Sequence, residues 1–571
     1  MEYELWKGED FTPRLMNLIN ADIPLMVDTE TCGLYGRIRL VQFYQPQFEK
    51  VILVEWPNPY QLMGMLNKVH PVFHNASYDI STIQRNVGGL AWRPETLDDT
   101  LYLSRLHFYK IKEGFKLDQC VEYATGSNPY NELDQQKKEL QKTGWDAPVL
   151  TEEQKRYAAL DVYYMQQLYD VVKEKREDLN YKLDIITLRS NLRMQCNGIP
   201  VDSEKLETLY AANMQEINNI ALPCNCNSPK QVRAYIGSNM SDDLGLAWQI
   251  AHGNERAGFV RRARKLTKQN SFLNKFQTDD GHIYGLFKPG ARSGRSTCND
   301  QNLQQVPRAL RTVFGVPEHG PEVMVYSDFS QLELRAICAI TGDKNMLAIY
   351  RAGGDIHDYT ARRLFNTEEP TKEQRQIGKT CNFALLYGAG WKVLQTILLK
   401  TTGIYLKEPE CKDIRNRWLN LFPDLKIWQQ QGIRDQKAGR PWQTPMGRRY
   451  MGKLMTDQVN IQVQGMGAEV AKLANHYMDK VMEELAAGWT QFDEWYHWQI
   501  NFIHDAYLYR MPNDPDMYET VAKIIADSMQ LAWKEISVAC KIPDLPMPVN
   551  VLVGYNWGDL EAGKSIWEHK Q

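Results

Sequence analysis

The stretch VMVYSDFSQLELRA, residues 323–336, decides how the second half of the chain folds. Its apolar residues predict a strand that ends in Asp328, and Glu333 and Arg335 follow within the next few residues. A carboxylate at the end of a strand is suited to binding a hard divalent cation. Because a pair of such ions needs more than one acid, a second carboxylate is expected in similar surroundings.

That second acid is Asp505, in the stretch NFIHDAYLYR, residues 501–510. The flanking apolar and aromatic residues predict a buried strand, in which an unpaired carboxylate would take up a proton instead of staying charged. A bound cation removes this penalty. We therefore predict that Asp505 and Asp328 form a two-aspartate cation site, with His504 beside it and a rigid apolar strand holding the pair in place.

A helical pattern lies between these two stretches, in RQIGKTCNFALLYG, residues 375–388. Two cations and then two aromatic residues recur at every fourth position: Arg375, Lys379, Phe383 and Tyr387. This spacing predicts one helix face on which cations precede aromatic rings along about 18 Å. Such a face can hold a triphosphate at one end and a sugar and base at the other. For this pattern alone, an ordinary amphipathic helix with both rings in a core is the alternative.

A second group of acids lies in the first 165 residues. In PLMVDTETCG, residues 24–33, the alternation of strand side chains puts Asp28 and Glu30 on one face. Two carboxylates so close repel each other unless a cation neutralises them, although an exposed strand end is the simpler interpretation of this pair alone. FHNASYDI, residues 73–80, adds Asp79, and the helical YAALD, residues 157–161, adds Tyr157 and Asp161.

Short apolar runs broken by turns make the first 110 residues an α/β domain, which a helix opened by a capping box at Thr151 and Gln154 completes. After about residue 185 the pattern becomes helical, and Asp202 predicts the start of another helix. We place the main domain boundary near residue 185.

Asp28, Glu30, Asp79 and Asp161 with Tyr157 resemble the Asp-Glu-Asp-Asp-Tyr set of the ribonuclease H-like 3′–5′ proofreading exonucleases. The resemblance implies that the four carboxylates hold two metal ions and that Tyr157 orients the attacking water. It also implies that Asn75 contacts the DNA substrate or a carboxylate. Since no member of the set is missing, we expect an active exonuclease.

Residues 327–335, 375–388 and 503–507 resemble the three polymerase motifs of the family A DNA polymerases, the class of bacterial DNA polymerase I, and occur in the family's order. Further matching stretches are NSPKQV (227–232), SGRSTCNDQNLQQVP (293–307), GDIH (354–357), TPMGRRY (444–450), NIQVQGMGAE (460–469) and GYNW (554–557). The resemblance extends over nearly the whole chain and is of the compact, phage type.

This resemblance implies a multidomain chain of α/β and α+β class. A ribonuclease H-like exonuclease domain at residues 1–185 is followed by a right-hand polymerase domain at residues 186–571. Within the latter, the expected thumb lies at about 190–290, the palm at about 291–345 and 441–571, and the fingers at about 346–440. The start of the chain leaves no room for a 5′ nuclease, so we expect no nick translation.

Polymerase roles follow from the same resemblance. Asp328 and Asp505 would bind two Mg²⁺ ions for phosphoryl transfer, with Mn²⁺ as a substitute, and the exonuclease would hold two more. Arg375 and Lys379, assisted by His357, would neutralise the phosphates, and Lys379 would protonate the pyrophosphate.

The nucleotide's sugar and base would meet a different set. Glu333 would act as the gate against a 2′ hydroxyl, which predicts deoxynucleotide substrates. Phe383 would lie against the sugar and disfavour dideoxynucleotides, while Tyr387 would stack near the templating base.

DNA contacts are implied at the primer end for Arg295, Asn460, Gln464 and His504. A separate candidate is the basic stretch at residues 256–275, which carries seven cations and no acid. It is either a solvated helix or a phosphate-binding face, and its place in the expected thumb favours the latter, with Arg261, Arg262 and Lys265 as the DNA-binding residues.

One residue departs from the family pattern. The third motif usually reads His-Asp-Glu, whereas here Ala506 follows His504 and Asp505. Since Asp328 and Asp505 remain, we expect DNA synthesis to survive, with metal affinity or rate affected. There are two alternatives: a chain in which only the nuclease works, and a single-subunit RNA polymerase. The complete exonuclease set and Glu333 argue against the RNA polymerase.

Composition agrees with an enzyme of this kind. The chain has 571 residues, enough for about four globular units. Its ten cysteines are scattered singly apart from Cys224 and Cys226, which favours reduced thiols over a disulfide framework or a zinc site. No membrane span or targeting segment is visible. The expectation is a cytoplasmic monomer, in a bacterial or phage-infected cell, that acts on primer-template DNA and deoxynucleoside triphosphates, with replication accessory proteins as further partners and a replicative role.

Overall fold

The computed structural model describes residues 1–88, 96–111, 114–128, 144–299, 301–490 and 494–569. Its strands are β1 (Tyr3–Lys7), β2 (Leu25–Thr31), β3 (Ile38–Tyr44), β4 (Val51–Glu55), β5 (Pro71–Phe73), β6 (Asp98–Asp99), β7 (Ile199–Pro200), β8 (His282–Ile283), β9 (Leu286–Pro289), β10 (Ser296–Asn299), β11 (Glu322–Phe329), β12 (Trp442–Gln443), β13 (Arg449–Tyr450), β14 (Gln499–Ile503), β15 (Ala506–Pro512), β16 (Val549–Gly554) and β17 (Trp567–His569).

The helices are α1 (Phe11–Met16), α2 (Pro59–Leu66), α3 (Ala76–Asn86), α4 (Thr100–His107), α5 (Leu117–Thr125), α6 (Glu152–Val172), α7 (Leu179–Asn197), α8 (Ser203–Ile220), α9 (Pro229–Ile236), α10 (Asp243–Ala251), α11 (Glu255–Leu273), α12 (Leu332–Thr341), α13 (Lys344–Arg351), α14 (Ile356–Phe365), α15 (Lys372–Leu386), α16 (Trp391–Thr402), α17 (Glu408–Leu421), α18 (Pro423–Lys437), α19 (Met455–Gly488), α20 (Pro515–Ala539) and α21 (Trp557–Glu561).

These elements form two compact units. The first unit consists of Met1–Asn197 together with two segments from much later in the chain, Leu286–Cys298 and Gly447–Met451. The second unit consists of Gly198–Gly285, Asn299–Met446 and Gly452–Gln571. The first unit therefore runs past residue 185 and includes residues that were expected to belong to the polymerase half.

The first unit is built on a six-stranded sheet in the order β1-β4-β3-β2-β5-β6. β3 runs antiparallel to both of its neighbours, and the other pairs are parallel. The central strands β2, β3 and β4 are almost wholly buried, which is why their sequences read as apolar runs. Helix α6 packs against β2, β3 and β4. The α/β class expected for this region is confirmed.

The caps expected from the sequence form. Thr151 accepts a hydrogen bond from the backbone of Gln154 at 3.2 Å, and the Gln154 side chain accepts one from the backbone of Thr151 at 2.9 Å. Asp202 caps α8 by accepting a bond from the Lys205 backbone at 2.9 Å. These two helix starts are therefore confirmed.

A buried ion pair ties one of the late segments into the first unit. Arg448 Nη2 lies 2.8 Å from Asp184 Oδ1 on α7, and both side chains are under a tenth exposed. Removing one partner from a buried pair leaves the other charge uncompensated.

We expect Asp184→Ala to lower the free energy of unfolding by about 3–5 kcal/mol, because it strands the Arg448 charge inside the protein. Urea denaturation of the full chain measures this. The exposed pair of Lys523 and Asp527 on α20 provides the control, since Asp527→Ala should cost under about 0.5 kcal/mol. Equal effects of the two substitutions would contradict the expectation.

The second unit contains a five-stranded antiparallel sheet in the order β14-β15-β11-β16-β17. The long helices α19 and α20 pack against each other, and α20 covers β16. The stretch 501–510 was expected to be one buried strand, and that expectation is wrong. It is a hairpin in which β14 and β15 are joined by a two-residue turn at His504 and Asp505. Asp505 therefore lies at a turn and not within a strand.

Among the described residues, no helix is both long enough and apolar enough to cross a membrane.

Candidate functional site

The first unit holds a cavity of about 1050 Å³. Six of the residues named from the sequence line it: Asp28, Glu30, Asn75, Asp79, Tyr157 and Asp161. The first two come from β2, the next two from the start of α3 and the last two from α6. The structure thus brings together the whole carboxylate set, although its members come from three separate parts of the sequence.

Three of these acids can share a metal ion. Ligand oxygens of Asp28, Glu30 and Asp161 all lie within 4.8 Å of one another. Burial raises the pKa of Asp28 and of Glu30 well above the usual range, and neighbouring acids raise both further. Such a cluster is unfavourable with all its charges present unless a cation neutralises them. The donor set, which is all oxygen, fits a hard divalent ion.

Asp79 is held in place by β2. The backbone and hydroxyl of Thr29 donate hydrogen bonds to Asp79 Oδ1 at 3.1 and 2.7 Å. Burial raises the pKa of Asp79 to about 7, against the lowering effect of the Thr29 bond. The start of α3 is fixed by Asp99, whose carboxylate accepts bonds from the backbones of Asn75 and Ala76 at 3.0 and 2.8 Å. Asp99 was not identified from the sequence, because nothing local distinguishes it.

Basic residues line the same cavity as these acids. They are Arg105, Lys116, Arg292, Arg448 and Arg449. None of them was assigned to this site from the sequence, because they come together only through the two late segments and the region around α4 and α5. The cavity therefore combines an acidic cluster with cationic groups, a layout suited to a substrate that carries phosphates.

In the second unit, Asp328 lies near the end of β11 and Asp505 in the turn that follows β14. The pKa of Asp328 is raised to about 8. Burial is the largest cause, and the negative charges of Asp505 and Glu561 add to it. Asp505 directly precedes Ala506, which is the register partner of Asp328, so its charge lies near enough to act on the Asp328 carboxyl. His504, which begins the turn, has a φ of 61°, a left-handed conformation that costs a residue with a side chain about 1 kcal/mol or more.

Ala506 stands directly across from Asp328, because the two are register partners in β15 and β11. Its side chain is buried. A glutamate at this position, as in the usual family motif, would put a third carboxylate beside Asp328. The departure noted in the sequence therefore removes one negative charge from the immediate neighbourhood of Asp328.

Glu561 is a nearby acid that was not identified from the sequence. It ends α21, which packs against the 3-10 turn Arg308–Val313 and against β11. Arg308 and Arg311 bind its two carboxylate oxygens at 2.9 and 2.5 Å. Since Glu561 also acts on the pKa of Asp328, it contributes negative charge near the aspartate pair, partly compensated by its arginines. The sequence does not indicate that Glu561 lies near Asp328, because the two residues are far apart along the chain.

The helix expected to carry the nucleotide-binding residues forms as α15, and Tyr387 directly follows its last residue. Arg375 is bound by Asp355 and Asp358 at 2.5 and 2.6 Å, so a triphosphate would compete with these acids for its charge. The ring of Phe383 is 39% exposed, which fits a ring that meets a ligand better than one in a core.

Two hydrogen-bonded pairs adjoin this face. Tyr387 donates a hydrogen bond to Glu333 Oε2 at 2.5 Å, although the two are 54 residues apart. His357 packs near Phe383 and bonds with the Asn382 side chain at 3.0 Å. Burial lowers the pKa of His357 to about 4, so its ring is uncharged at neutral pH and would assist a phosphate by hydrogen bonding.

The residues expected to contact DNA lie in both units. Arg295 belongs to the first unit, whereas Asn460 and Gln464 on α19 and His504 belong to the second. The basic stretch forms most of α11, where Arg261 pairs with Asp243 at 3.3 Å and Arg262 binds Glu216 through two bonds at 2.5 and 2.6 Å. Lys265 lies on the same helix.

Comparisons with known proteins agree with this arrangement. A model of DNA polymerase family A matches residues 201–559, and a 3′-5′ exonuclease model matches residues 4–176. DNA polymerase I of Aquifex aeolicus is 26% identical, over 98% of this chain and 100% of the relative. That of Chloroflexus aurantiacus is 26% identical over 72% of this chain but only 47% of its own length.

A solved structure, the POL domain of Pol1 from M. smegmatis in complex with DNA primer-template and dNTP, shares the fold. Its TM-score is 0.77, at 17% identity, over 97% of this chain and 99% of that one. The mixed α/β and α+β fold expected from the sequence, with a nuclease domain followed by a right-hand domain, is therefore confirmed.

Proposed function

The chain belongs to DNA polymerase family A and carries a 3′–5′ exonuclease domain ahead of the polymerase, and from this membership we propose which of its residues perform the two reactions. It is a DNA-directed DNA polymerase with a 3′–5′ exonuclease, and both activities depend on metal ions. Primer-template DNA and deoxynucleoside triphosphates are its substrates. The observation that carries the polymerase assignment is that Asp505 directly precedes Ala506, the register partner of Asp328, in the unit that also holds α15.

Two Mg²⁺ ions in each site are part of the proposal, with Mn²⁺ as a substitute. Asp328 and Asp505 would hold the polymerase pair, and Asp28, Glu30, Asp79 and Asp161 the exonuclease pair. Bound ions lower the pKa of the attacking oxygen and neutralise the charge that develops on the leaving group.

In the polymerase reaction the side chains of the chain itself bind and orient the nucleotide. Lys379 and Arg375 bind the triphosphate, and Lys379 supplies a proton to the departing pyrophosphate. Arg375 would exchange Asp355 and Asp358 for phosphate oxygens. The neutral ring of His357 donates a hydrogen bond to a phosphate, and Phe383 lies against the sugar.

In the exonuclease reaction Tyr157 orients the water that attacks the terminal phosphodiester, and Asn75 contacts the strand. Asp79 is kept in position by its two bonds from Thr29. The wall of cations in the same cavity supports a substrate that is a strand of nucleic acid, since its phosphates would otherwise be repelled by the acids.

The hydrogen bond between Tyr387 and Glu333 supports the proposed sugar gate, because it holds the Glu333 carboxylate beside the end of α15. We expect Tyr387→Phe to reduce the preference for deoxynucleotides over ribonucleotides about tenfold, the value of one hydrogen bond to a charged group. The ratio of kcat/KM values for dATP and ATP on one primer measures it. Thr396→Val on α16 removes a hydroxyl that bonds within its own helix and is the control. An unchanged ratio in Tyr387→Phe would contradict the role of this bond.

Contacts with DNA are proposed for Arg295, Asn460, Gln464 and His504 at the primer end, and for Arg261, Arg262 and Lys265 along α11. We expect an Arg261→Ala/Arg262→Ala variant to bind primer-template DNA more weakly, with a salt dependence reduced by about 0.9 for each phosphate that the variant no longer binds. Fluorescence anisotropy at several salt concentrations measures this. Because Glu216 holds Arg262, Glu216→Gln should tighten binding. Unchanged affinity and slope in the double variant would refute the proposed face.

The proposed organisation is an exonuclease domain at residues 1–185 and a polymerase domain at residues 186–571. The thumb, palm and fingers would have the bounds expected from the sequence. We propose a cytoplasmic monomer with a replicative role, which suits an enzyme that joins synthesis to proofreading, with replication accessory proteins as further partners. Extension of a primer with deoxynucleotides alone, and its absence with ribonucleotides alone, tests the polymerase assignment.

A further inference from the structure

Two parts of the second unit that lie far apart in the sequence touch each other. Helices α10 and α11 belong to the proposed thumb and α16 to the proposed fingers, and α10 packs against α16. We call this contact the latch. It is formed by Asp243, Trp248, His252 and Arg261 from the first part and by Lys400 and Tyr405 from the second.

The polar half of the latch is centred on Asp243, in the first turn of α10. One of its carboxylate oxygens lies 3.3 Å from Arg261 Nε on α11, and the other lies 3.6 Å from Lys400 Nζ near the end of α16. Arg261 also donates a hydrogen bond from Nη2 to the Lys400 carbonyl at 3.3 Å. Asp243 therefore pairs with one cation from each part, and Arg261 joins the two parts directly.

Three rings form the other half of the latch. Trp248 and His252 stack with their centres 3.9 Å apart at the end of α10. Tyr405, which lies just beyond α16, meets both rings edge-on, with centres 6.5 and 5.4 Å away. The ion pairs are exposed and the ring contact is small, so each of these interactions is weak. Contacts of this kind can break and re-form while both parts stay folded.

The same two parts are also connected through the sheet that carries Asp328. From α11 the packing continues to α8, to the 3-10 turn Arg308–Val313, to α21 and to β11. From α16 it continues through α17 and α18 to α12, which follows β11 in the chain. The latch therefore closes a circuit of packed elements that includes Asp328. DNA that reached Asp328 between the two parts would be enclosed while the latch is closed.

We propose that the latch closes the second unit around primer-template DNA, so that DNA without free ends leaves only when the latch opens. This role rests on the proposed polymerase function. The latch joins α11, which carries the proposed DNA face, to α16, which packs against the proposed nucleotide helix α15. It slows release of the DNA and thereby raises the number of nucleotides added in one binding event.

The test measures release from two DNAs that carry the same primer, a single-stranded circle and a short linear template. The chain is bound to fluorescent DNA without divalent cations, which keeps the nuclease inactive, and is then challenged with excess unlabelled DNA. The wild type should leave the circle about tenfold more slowly than the linear template, which can slide out at its ends. Tenfold corresponds to about 1.4 kcal/mol. Asp243→Lys should reduce this ratio to under twofold, because the new cation repels Arg261 and Lys400.

The direction of the effect separates the latch from simple attraction of phosphates. Asp243→Lys adds positive charge beside α11, so attraction alone would slow release from both DNAs. An open latch instead makes release from the circle as fast as release from the linear template. Adding Lys400→Glu to Asp243→Lys should restore an ion pair and return the ratio to within about threefold of the wild type. Tyr405→Ala, which changes no charge, should lower the ratio about threefold.

Glu255→Lys is the matched control, because Glu255 is also an exposed acid in a first helical turn, that of α11, and is not a latch residue. It makes the same change of charge and should keep the wild-type ratio. Equal release from both DNAs by the wild type, or an unchanged ratio in Asp243→Lys, would overturn the proposal. A wild type that binds primer-template DNA but adds no nucleotide would instead refute the polymerase function, and the release ratio would still decide the role of the latch.

Discussion

Replacing Asp505 by alanine is expected to lower the rate of primer extension at least about a thousandfold, which corresponds to about 4 kcal/mol of transition-state stabilisation. Asp505 and Asp328 act on each other through space, and with Ala506 as the next residue no third-motif acid remains to take over. Incorporation of a single deoxynucleotide on a matched primer, followed by rapid quenching, measures the rate.

The control for this substitution is Asp527→Ala, which removes an exposed acid of the second unit that has no proposed role. It should extend the primer at the wild-type rate. Degradation of a single-stranded oligonucleotide by the Asp505→Ala chain should also be unchanged, since the exonuclease acids lie in the first unit. Extension within tenfold of the wild type would show that Asp505 is not a metal ligand.

Replacing Asp28 by alanine is expected to lower the rate of degradation of single-stranded DNA at least about a thousandfold. The substitution removes one of three acids whose oxygens lie within 4.8 Å of one another, so that the remaining pair holds a cation poorly. Release of labelled nucleotide from a 3′-labelled oligonucleotide measures it.

Glu49, an exposed acid of the first unit outside the cavity, provides the matched control for Asp28. Glu49→Ala should degrade DNA as the wild type does, and Asp28→Ala should extend a matched primer at the wild-type rate. If Asp28→Ala still degraded DNA at a tenth of the wild-type rate or more, the acidic cluster would not be the catalytic site.

Local chemistry made much of the fold predictable. The start of α6 follows from the capping box at Thr151, and the common face of Asp28 and Glu30 follows from strand alternation in β2. The helix α15 follows from residues of one character that recur every fourth position. In each case the pattern that predicts the structure lies within a few neighbouring residues.

The rest depended on contacts between distant residues or on an uncommon backbone conformation. The hairpin at residues 499–512 was missed because its turn is formed by His504 and Asp505, without the glycine or asparagine that usually marks such a turn. Glu561 and Arg449 reach their sites only through tertiary packing, so no local pattern identifies them.

The structure also indicates what changes around Asp328 when alanine stands at position 506 in place of the usual glutamate. The position faces Asp328 across the sheet, so the usual glutamate would add to the repulsion that already raises the pKa of Asp328. Glu561 approaches the same aspartate from the end of the chain, with two arginines on its carboxylate. Glu561 thus adds a negative charge near Asp328 from a part of the sequence far from the third motif.

The most direct test of two separate metal-dependent sites in one chain is extension of a primer that ends in a mismatch. The wild type should remove the mismatched nucleotide and then extend the primer. Asp28→Ala should leave the mismatch in place, and Asp505→Ala should remove it without extending. Extension by Asp505→Ala, or removal of the mismatch by Asp28→Ala, would contradict the assignment of the two reactions to these two clusters.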